Sequence, residues 1–182
     1  HLGDLHEPMK PPKVFKDYFG RVKPIPRVDV WDFRRPDEQK EAKFEEYKYN
    51  RILLYDNAIR YVDYAIEQFY SSLEEKGLLD STLLIITADH GEEFWEHAEL
   101  EAEYFYDPRG YYGVGHGHNV FNEIIEVPIL MSGASIPQFF RNERLVSTID
   151  VMPTVLDRLE ISHSLMLDGC NLFKDVRERP LL

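Results

Sequence analysis

Leu83-Leu84-Ile85-Ile86-Thr87-Ala88-Asp89-His90-Gly91-Glu92-Glu93 decides how this chain is read. An apolar run without alternation stops abruptly at Asp-His-Gly. Such a run predicts a strand over residues 82–87, buried on both faces, in a parallel sheet covered by helices. Open α/β sheets carry their sites in the crevice beyond the carboxyl ends of the strands. Asp89 offers a hard anionic oxygen and His90 a neutral imidazole nitrogen. Two adjacent side chains in a loop can turn toward one ion. Gly91 permits a tight turn or a close approach of backbone. Taken alone, Asp-His has two readings: a pair of metal ligands, or an ordinary polar turn at a strand end.

Upstream of this stretch, residues 37–76 have a helical pattern. Ile52, Tyr55, Ile59, Val62, Ile66, Phe69 and Leu73 recur at spacings of three and four, which makes one apolar stripe. Asp37 and Glu38 suit a start, Gly77 suits a stop, and a break near Tyr49-Asn50 would keep the helix to an ordinary length. Asp56 and Asp63, one heptad apart, read as solvated or tied locally. Residues 1–36 contain six prolines and predict an extended segment that follows the surface of something larger. Downstream, Val127-Pro128-Ile129-Leu130-Met131 predicts a second strand with Pro128 at its end. Asp150 and Pro153 predict the start of a short helix reaching about Leu159.

The chain has 182 residues, a formal net charge of −12 and one cysteine, Cys170. That length suits one domain with a sizeable core. The charge argues against nucleic acid or an anionic membrane as a partner, and no apolar run is long enough for a membrane span. One cysteine allows no intrachain disulfide. With no visible leader, this favours a cytoplasmic setting. However, His1 already lies inside a recognisable block, so the native N-terminus is expected further upstream and a missing leader is uninformative.

That block is His1-Leu2-Gly3-Asp4-Leu5-His6-Glu7-Pro8-Met9-Lys10-Pro11-Pro12. After the Asp-His-Gly stretch come Gly113-Val114-Gly115-His116-Gly117-His118-Asn119-Val120-Phe121-Asn122-Glu123 and Val127-Pro128-Ile129-Leu130. In this order the blocks resemble the sulfatase branch of the alkaline phosphatase superfamily. The likeness continues through Ile149-Asp150-Val151-Met152-Pro153-Thr154 and Asp168-Gly169-Cys170-Asn171-Leu172, with Asn171 where the family carries Ser. It covers most of the chain but only the later part of the family's catalytic domain. The resemblance implies an alkaline phosphatase-like α/β fold, a three-layer α/β/α sandwich with a mainly parallel sheet that lacks its N-terminal half. Residues 1–182 would then be the C-terminal portion of one catalytic domain.

The same resemblance implies roles. Asp89 and His90 match the later pair of metal ligands. Calcium is the family's usual ion, while an imidazole ligand makes manganese or zinc possible. His116 falls where many sulfatases place a sulfate-contacting lysine, and His6 matches the histidine near the leaving-group oxygen. His97 and His118 are candidate substrate-binding residues or hydrogen-bonded supports behind the site. Residues 98–112, rich in acids and aromatics, form an insertion loop compared with many relatives. This loop is either a flap over the pocket or an exposed loop whose tyrosines pack locally.

The family's nucleophile arises from Cys or Ser in C/S-x-P-x-R, and no such motif occurs in the chain. Ser135-Ile136-Pro137-Gln138-Phe139 lacks the arginine, and Cys170 is followed by Asn-Leu-Phe-Lys. The expectation is therefore part of a metal-dependent sulfatase acting on a small sulfate ester, inactive without its upstream half. Asp-His in place of Asp-Asn keeps open a phosphonate or phosphodiester hydrolase, or a phosphoglycerol transferase. A non-catalytic binding domain on the same scaffold is the reading from another class.

Overall fold

Helix α1 runs from Ala42 to Glu75, 34 residues without interruption, or about 51 Å at the usual rise. The computed structural model describes residues 3–6, 9–24, 42–106, 112–133, 136–137 and 141–174. The expected helix start at Asp37 and Glu38 lies outside them. The expected break at Tyr49-Asn50 does not occur. The Asn50 side chain donates from Nδ2 to the Glu46 carbonyl at 2.7 Å, and its Oδ1 accepts the Lys23 backbone N–H at 2.8 Å. Its polar group thus bonds back along the helix and outward to another segment, leaving the backbone ladder intact. The helix stops where expected: Gly77 has φ of 65°, and its N–H reaches the Glu74 carbonyl at 2.9 Å.

The apolar stripe is only partly the buried face. Ile59 is 42% and Phe69 55% exposed, whereas Ala58 and Asn57 are fully buried. Asn57 Oδ1 accepts the Phe19 N–H at 3.0 Å and its Nδ2 donates to the Lys16 carbonyl at 2.8 Å. Two asparagines one heptad apart therefore fasten residues 16–23 along the helix. This N-terminal segment contains a 3₁₀ turn at Gly3–Leu5 and a turn closed by Phe15 N–H on the Pro12 carbonyl at 2.8 Å. Met9 is buried. Residues 16, 19 and 23 of the stretch bond to α1 side chains, and residues 25–36 of it lie outside the described set.

The chain forms two compact units. The first spans His1–Gly77 and Asp89–Val127, and the second Leu78–Ala88 and Pro128–Leu182. In the first, β2 (Glu93–Phe94) pairs antiparallel with β3 (Val114–Gly115), Glu93 opposite Gly115. Helix α2 (Ala98–Tyr104) and the short α3 (Asn122–Ile125) complete it. Its core comprises Phe44, Tyr47, Phe94, Trp95, Ala98, Tyr112 and Val114. Trp95 is the keystone, with its ring edge-on to Phe44 at 5.4 Å and Tyr47 at 5.5 Å. Aromatic pairs prefer this edge-to-face arrangement. The expected insertion loop, 98–112, begins as α2, and residues 107–111 are outside the described set.

In the second unit, β1 (Leu83–Thr87) pairs with β4 (Ile129–Gly133) in antiparallel register, Ile85 opposite Met131. Both strands fall where the sequence predicts. Their direction corrects the expectation of a mainly parallel sheet: among the described residues the sheets are two-stranded and antiparallel. An unbroken apolar run signals apolar surroundings on both faces, not the direction of its neighbour, and Leu83–Ile86 are half-buried.

Helix α4 (Val151–Arg158) accommodates Pro153 in its first turn. Asp150 does not cap it as expected. Its carboxylate accepts backbone N–H groups of Ser147 at 2.9 Å and Cys170 at 2.7 Å. Thr154, fully buried, donates to the Asp150 carbonyl and accepts from Leu172 N–H. These bonds hold the Asp168–Leu172 ending against the helix start. No helix among the described residues is long and apolar enough to cross a membrane.

Candidate active site

Asp89 and His90 come after β1 in the chain, one residue, Ala88, intervening, and Gly91 fixes what comes next. The Gly91 N–H donates to the Ile124 carbonyl at 2.7 Å. A Cβ on Gly91 would overlap the Glu123 carbonyl oxygen. Of its two expected roles, close backbone approach is the one seen. The contact ties the Asp-His-Gly loop to α3 and so to the Gly-His-Gly-His block before it.

The result is a histidine cluster. The His90 and His116 rings stack with centroids 3.9 Å apart at 26°, and His6 meets His116 edge-on at 5.2 Å. His90 Nδ1 lies 2.7 Å from the Gly91 carbonyl. A carbonyl only accepts, so Nδ1 carries the proton and Nε2 is left as the basic nitrogen. His116 Nδ1 lies 2.8 Å from Glu92 Oε2, whose side chain is only 8% exposed. One ligand atom from each of His90, Glu92 and His116 lies within 4.8 Å of the others. Asp89 is more open: its side chain is 77% exposed, with Oδ1 accepting the His90 N–H at 3.1 Å and 3.8 Å from His90 Nε2.

Glu92 reaches back to α1. Burial lowers the pKa of Arg51, which the Glu92 carboxylate opposes. Burial and the same carboxylate raise that of Tyr55. The carboxylate favours the positive charge on Arg51 and disfavours a negative one on Tyr55, and both effects grow where little water intervenes.

Other expected residues lie apart from this cluster. His97 Nε2 pairs with Glu123 Oε2 at 3.0 Å, and its ring packs on Phe121 at 4.0 Å. The His97 pairing and the acid's own backbone N–H hold the Glu123 carboxyl below its usual range, the backbone bond contributing most. His118 points elsewhere, toward Glu93 and Glu101, both fully buried. Burial pushes the Glu93 carboxyl up, and Glu101 adds to this against the hydrogen bond from Asn119. Sequence reasoning missed Glu92, Glu93, Glu101 and Asn119. Glu92 was findable, two residues after a ligand candidate; Glu101 is one acid among many in its segment.

The donors fit a divalent cation at the Asp89-His90 end. His90 presents a basic Nε2 in an orientation locked by the Gly91 carbonyl, the arrangement usual for metal-binding imidazoles, and the Asp89 carboxylate is beside it. A nitrogen donor in the set suits manganese or zinc better than an all-oxygen calcium shell.

Comparison with known proteins identifies the class. Residues 4–161 match the sulfatase family. The chain belongs to that family, whose fold is alkaline phosphatase-like α/β and whose members generally bind a divalent metal. It is 26% identical over 194 aligned residues to an arylsulfatase of Clostridium perfringens, covering 96% of this chain and 36% of that one. It is 34% identical over 110 residues to arylsulfatase K of Rattus norvegicus, 60% of this chain and 17% of the relative. A low-salt glycan biosynthesis sulfotransferase of Haloferax volcanii, Agl7, is 30% identical over 122 residues, 66% of this chain and 27% of that protein. The chain thus spans about a third or less of each of these relatives.

Proposed function

We propose that this chain is the later part of the catalytic domain of a metal-dependent sulfatase that hydrolyses a small sulfate monoester. In this reading the whole domain is a three-layer α/β/α sandwich, and a preceding polypeptide half supplies the nucleophile and the remaining metal ligands. The observation that carries it is the convergence of His6, His90 and His116, from three separate sequence blocks, with Glu92 behind His116.

Sulfate ester hydrolysis needs positive charge and hydrogen-bond donors on the nonbridging oxygens, and an acid near the leaving oxygen. Asp89 and His90 would hold the cation, which supplies Lewis-acid polarisation and holds the nucleophile. His116 would contact the sulfate. With Nδ1–H given to Glu92, its Nε2 donates to a sulfate oxygen only as imidazolium, and Glu92 is the anion beside that charge. His6, edge-on to His116, would serve the leaving oxygen. His97 and His118 are hydrogen-bonded or buried among carboxylates. Their geometry supports positioning roles better than direct substrate contact.

One specific feature favours a second reading, a phosphonate or phosphodiester hydrolase or phosphoglycerol transferase: His90 stands where many sulfatases carry asparagine. The test is turnover of an aryl sulfate and an aryl phosphonate by this chain alone and by the polypeptide encoded together with its upstream sequence. The sulfatase reading expects aryl sulfate turnover only from the longer protein. Phosphonate turnover without sulfate turnover moves the assignment to the second reading. Turnover by the chain alone overturns the need for an upstream half.

A further inference from the structure

We propose that Glu93, Glu101 and His118 form a second divalent-cation site, distinct from the histidine cluster, that takes manganese or zinc as a structural ion. The three residues come from β2, α2 and the loop after β3. One ligand atom from each lies within 4.8 Å of the others. Both carboxylates are 0% exposed, and the His118 side chain is 8% exposed. His118 Nε2 is 3.3 Å from Glu101 Oε2 and 3.8 Å from Glu93 Oε2, yet neither ring nitrogen has a hydrogen-bond partner. A buried imidazole with both nitrogens unsatisfied is rare and costly.

The carboxylates pose the matching problem. Their partners are the Asn119 amide, shared by both, and the backbone N–H groups of His97 and Gly113. All of these are neutral, no lysine or arginine among the described residues pairs with either acid, and the group that could carry positive charge here is His118 itself, 3.3 and 3.8 Å away. One imidazolium would still leave the two buried carboxylates with a negative charge in excess, and an uncompensated buried charge costs several kcal/mol. A dication between two carboxylate oxygens and one imidazole nitrogen would neutralise the acids and satisfy His118 together. The mixed nitrogen and oxygen donors favour manganese or zinc over calcium or magnesium. Asn119 and the backbone N–H groups would orient the carboxylates from behind. The ion would clamp α2 to the β2–β3 pair. This inference needs no sulfatase activity and stands or falls apart from it.

The experiment removes the other cluster first. In the full chain, His90→Ala with His116→Ala leaves all three donors of the buried site. After chelation, Mn2+ alone and Zn2+ alone are titrated by calorimetry. The expected result is one equivalent bound, with a rise in thermal midpoint. Adding Glu101→Gln and His118→Gln should weaken binding by more than about tenfold, the scale seen even for residues that only support ligands. In case that variant fails to fold, electron spin-echo spectra of Mn2+ in the first background should show one imidazole nitrogen. A background chain that binds no ion overturns the proposal. So does bound Mn2+ without imidazole coupling, or a folded Glu101→Gln/His118→Gln variant that keeps full affinity.

Discussion

The His90 and His116 rings stack face to face, 3.9 Å between centroids, and each has its Nδ1 engaged: His90 by the Gly91 carbonyl, His116 by Glu92. Both rings therefore turn their Nε2 atoms away from their supports. One loop carbonyl and one carboxylate thus fix two imidazoles with their Nε2 atoms free, the arrangement on which the proposed roles of ligand for His90 and sulfate contact for His116 rest.

Glu92→Gln tests that division. The amide oxygen can still accept from His116 Nδ1, but the negative charge is gone. In the complete enzyme, kcat/KM on an aryl sulfate should fall by about 10- to 100-fold, the range typical of residues that orient a site from behind. Metal affinity through Asp89 and His90 should change far less. Unchanged kcat/KM would mean that His116 works without its carboxylate partner.

Asn57→Ala should loosen the N-terminal strap. The substitution removes the buried amide that now bonds the Phe19 N–H and the Lys16 carbonyl at 3.0 and 2.8 Å. Losing these bonds should cost about 1–3 kcal/mol, read from denaturant unfolding. Faster proteolysis near residues 16–23 should accompany it. If stability holds, the strap is fastened by its apolar contacts alone.

These asparagines also mark the limit of sequence reading. Strand β1, β4, the stop at Gly77 and the clustering of His6, His90 and His116 were legible, because apolar runs, turn residues and family blocks are local signals. The buried face of α1 was misread because Asn50 and Asn57 count as polar in any periodicity, yet both are spent on distant backbone. Strand direction was misread because apolar burial says nothing about the orientation of a partner. The Glu93–Glu101–His118 group was invisible because its members come from three elements, and an acid in an acid-rich segment looks solvated until the fold buries it.

Asp157 should give the second unit an acid-sensitive component. Its carboxylate binds Lys174 and accepts from Asn171 Nδ2 at 2.7 Å, and the lysine chiefly holds its pKa below the ordinary 3.8. A depressed carboxyl contributes stability that is present above the unfolded value and is lost as pH falls through the folded one. Asp157→Asn should therefore flatten the stability profile below about pH 4 and change it little at neutrality. Because the pair is solvent-exposed, the effect should shrink in high salt. An acid limb unaltered by the substitution would assign that limb to other groups.

Gly91→Ala should damage both stability and the site. The new methyl group meets the Glu123 carbonyl oxygen, which is backbone and cannot rotate aside. Overpacking of this kind costs about 1–3 kcal/mol, visible as a lowered thermal midpoint. Relief would come from separating the Asp-His-Gly loop from α3, which also carries His90 away from His116. Glycine-to-alanine changes usually stabilise through the unfolded chain, so a raised midpoint would show that the close approach is not required.

In the proposed reading, the choice of ion rests on one side chain, His90. An imidazole nitrogen beside the Asp89 carboxylate suits manganese or zinc, while the Asp-Asn pair of many sulfatases gives only oxygens, which suits calcium. In the complete enzyme stripped with a chelator, Mn2+ or Zn2+ should restore more activity than Ca2+. His90→Asn should reverse the order, since the asparagine carbonyl keeps a ligand atom near the same place while changing its hardness. The Gly91 carbonyl that now locks the imidazole would be left to water, so some activity should be lost with every ion. Restoration by Ca2+ above Mn2+ and Zn2+ in the unaltered enzyme would mean that His90 is not a ligand, and that its ring serves only to pack and orient His116.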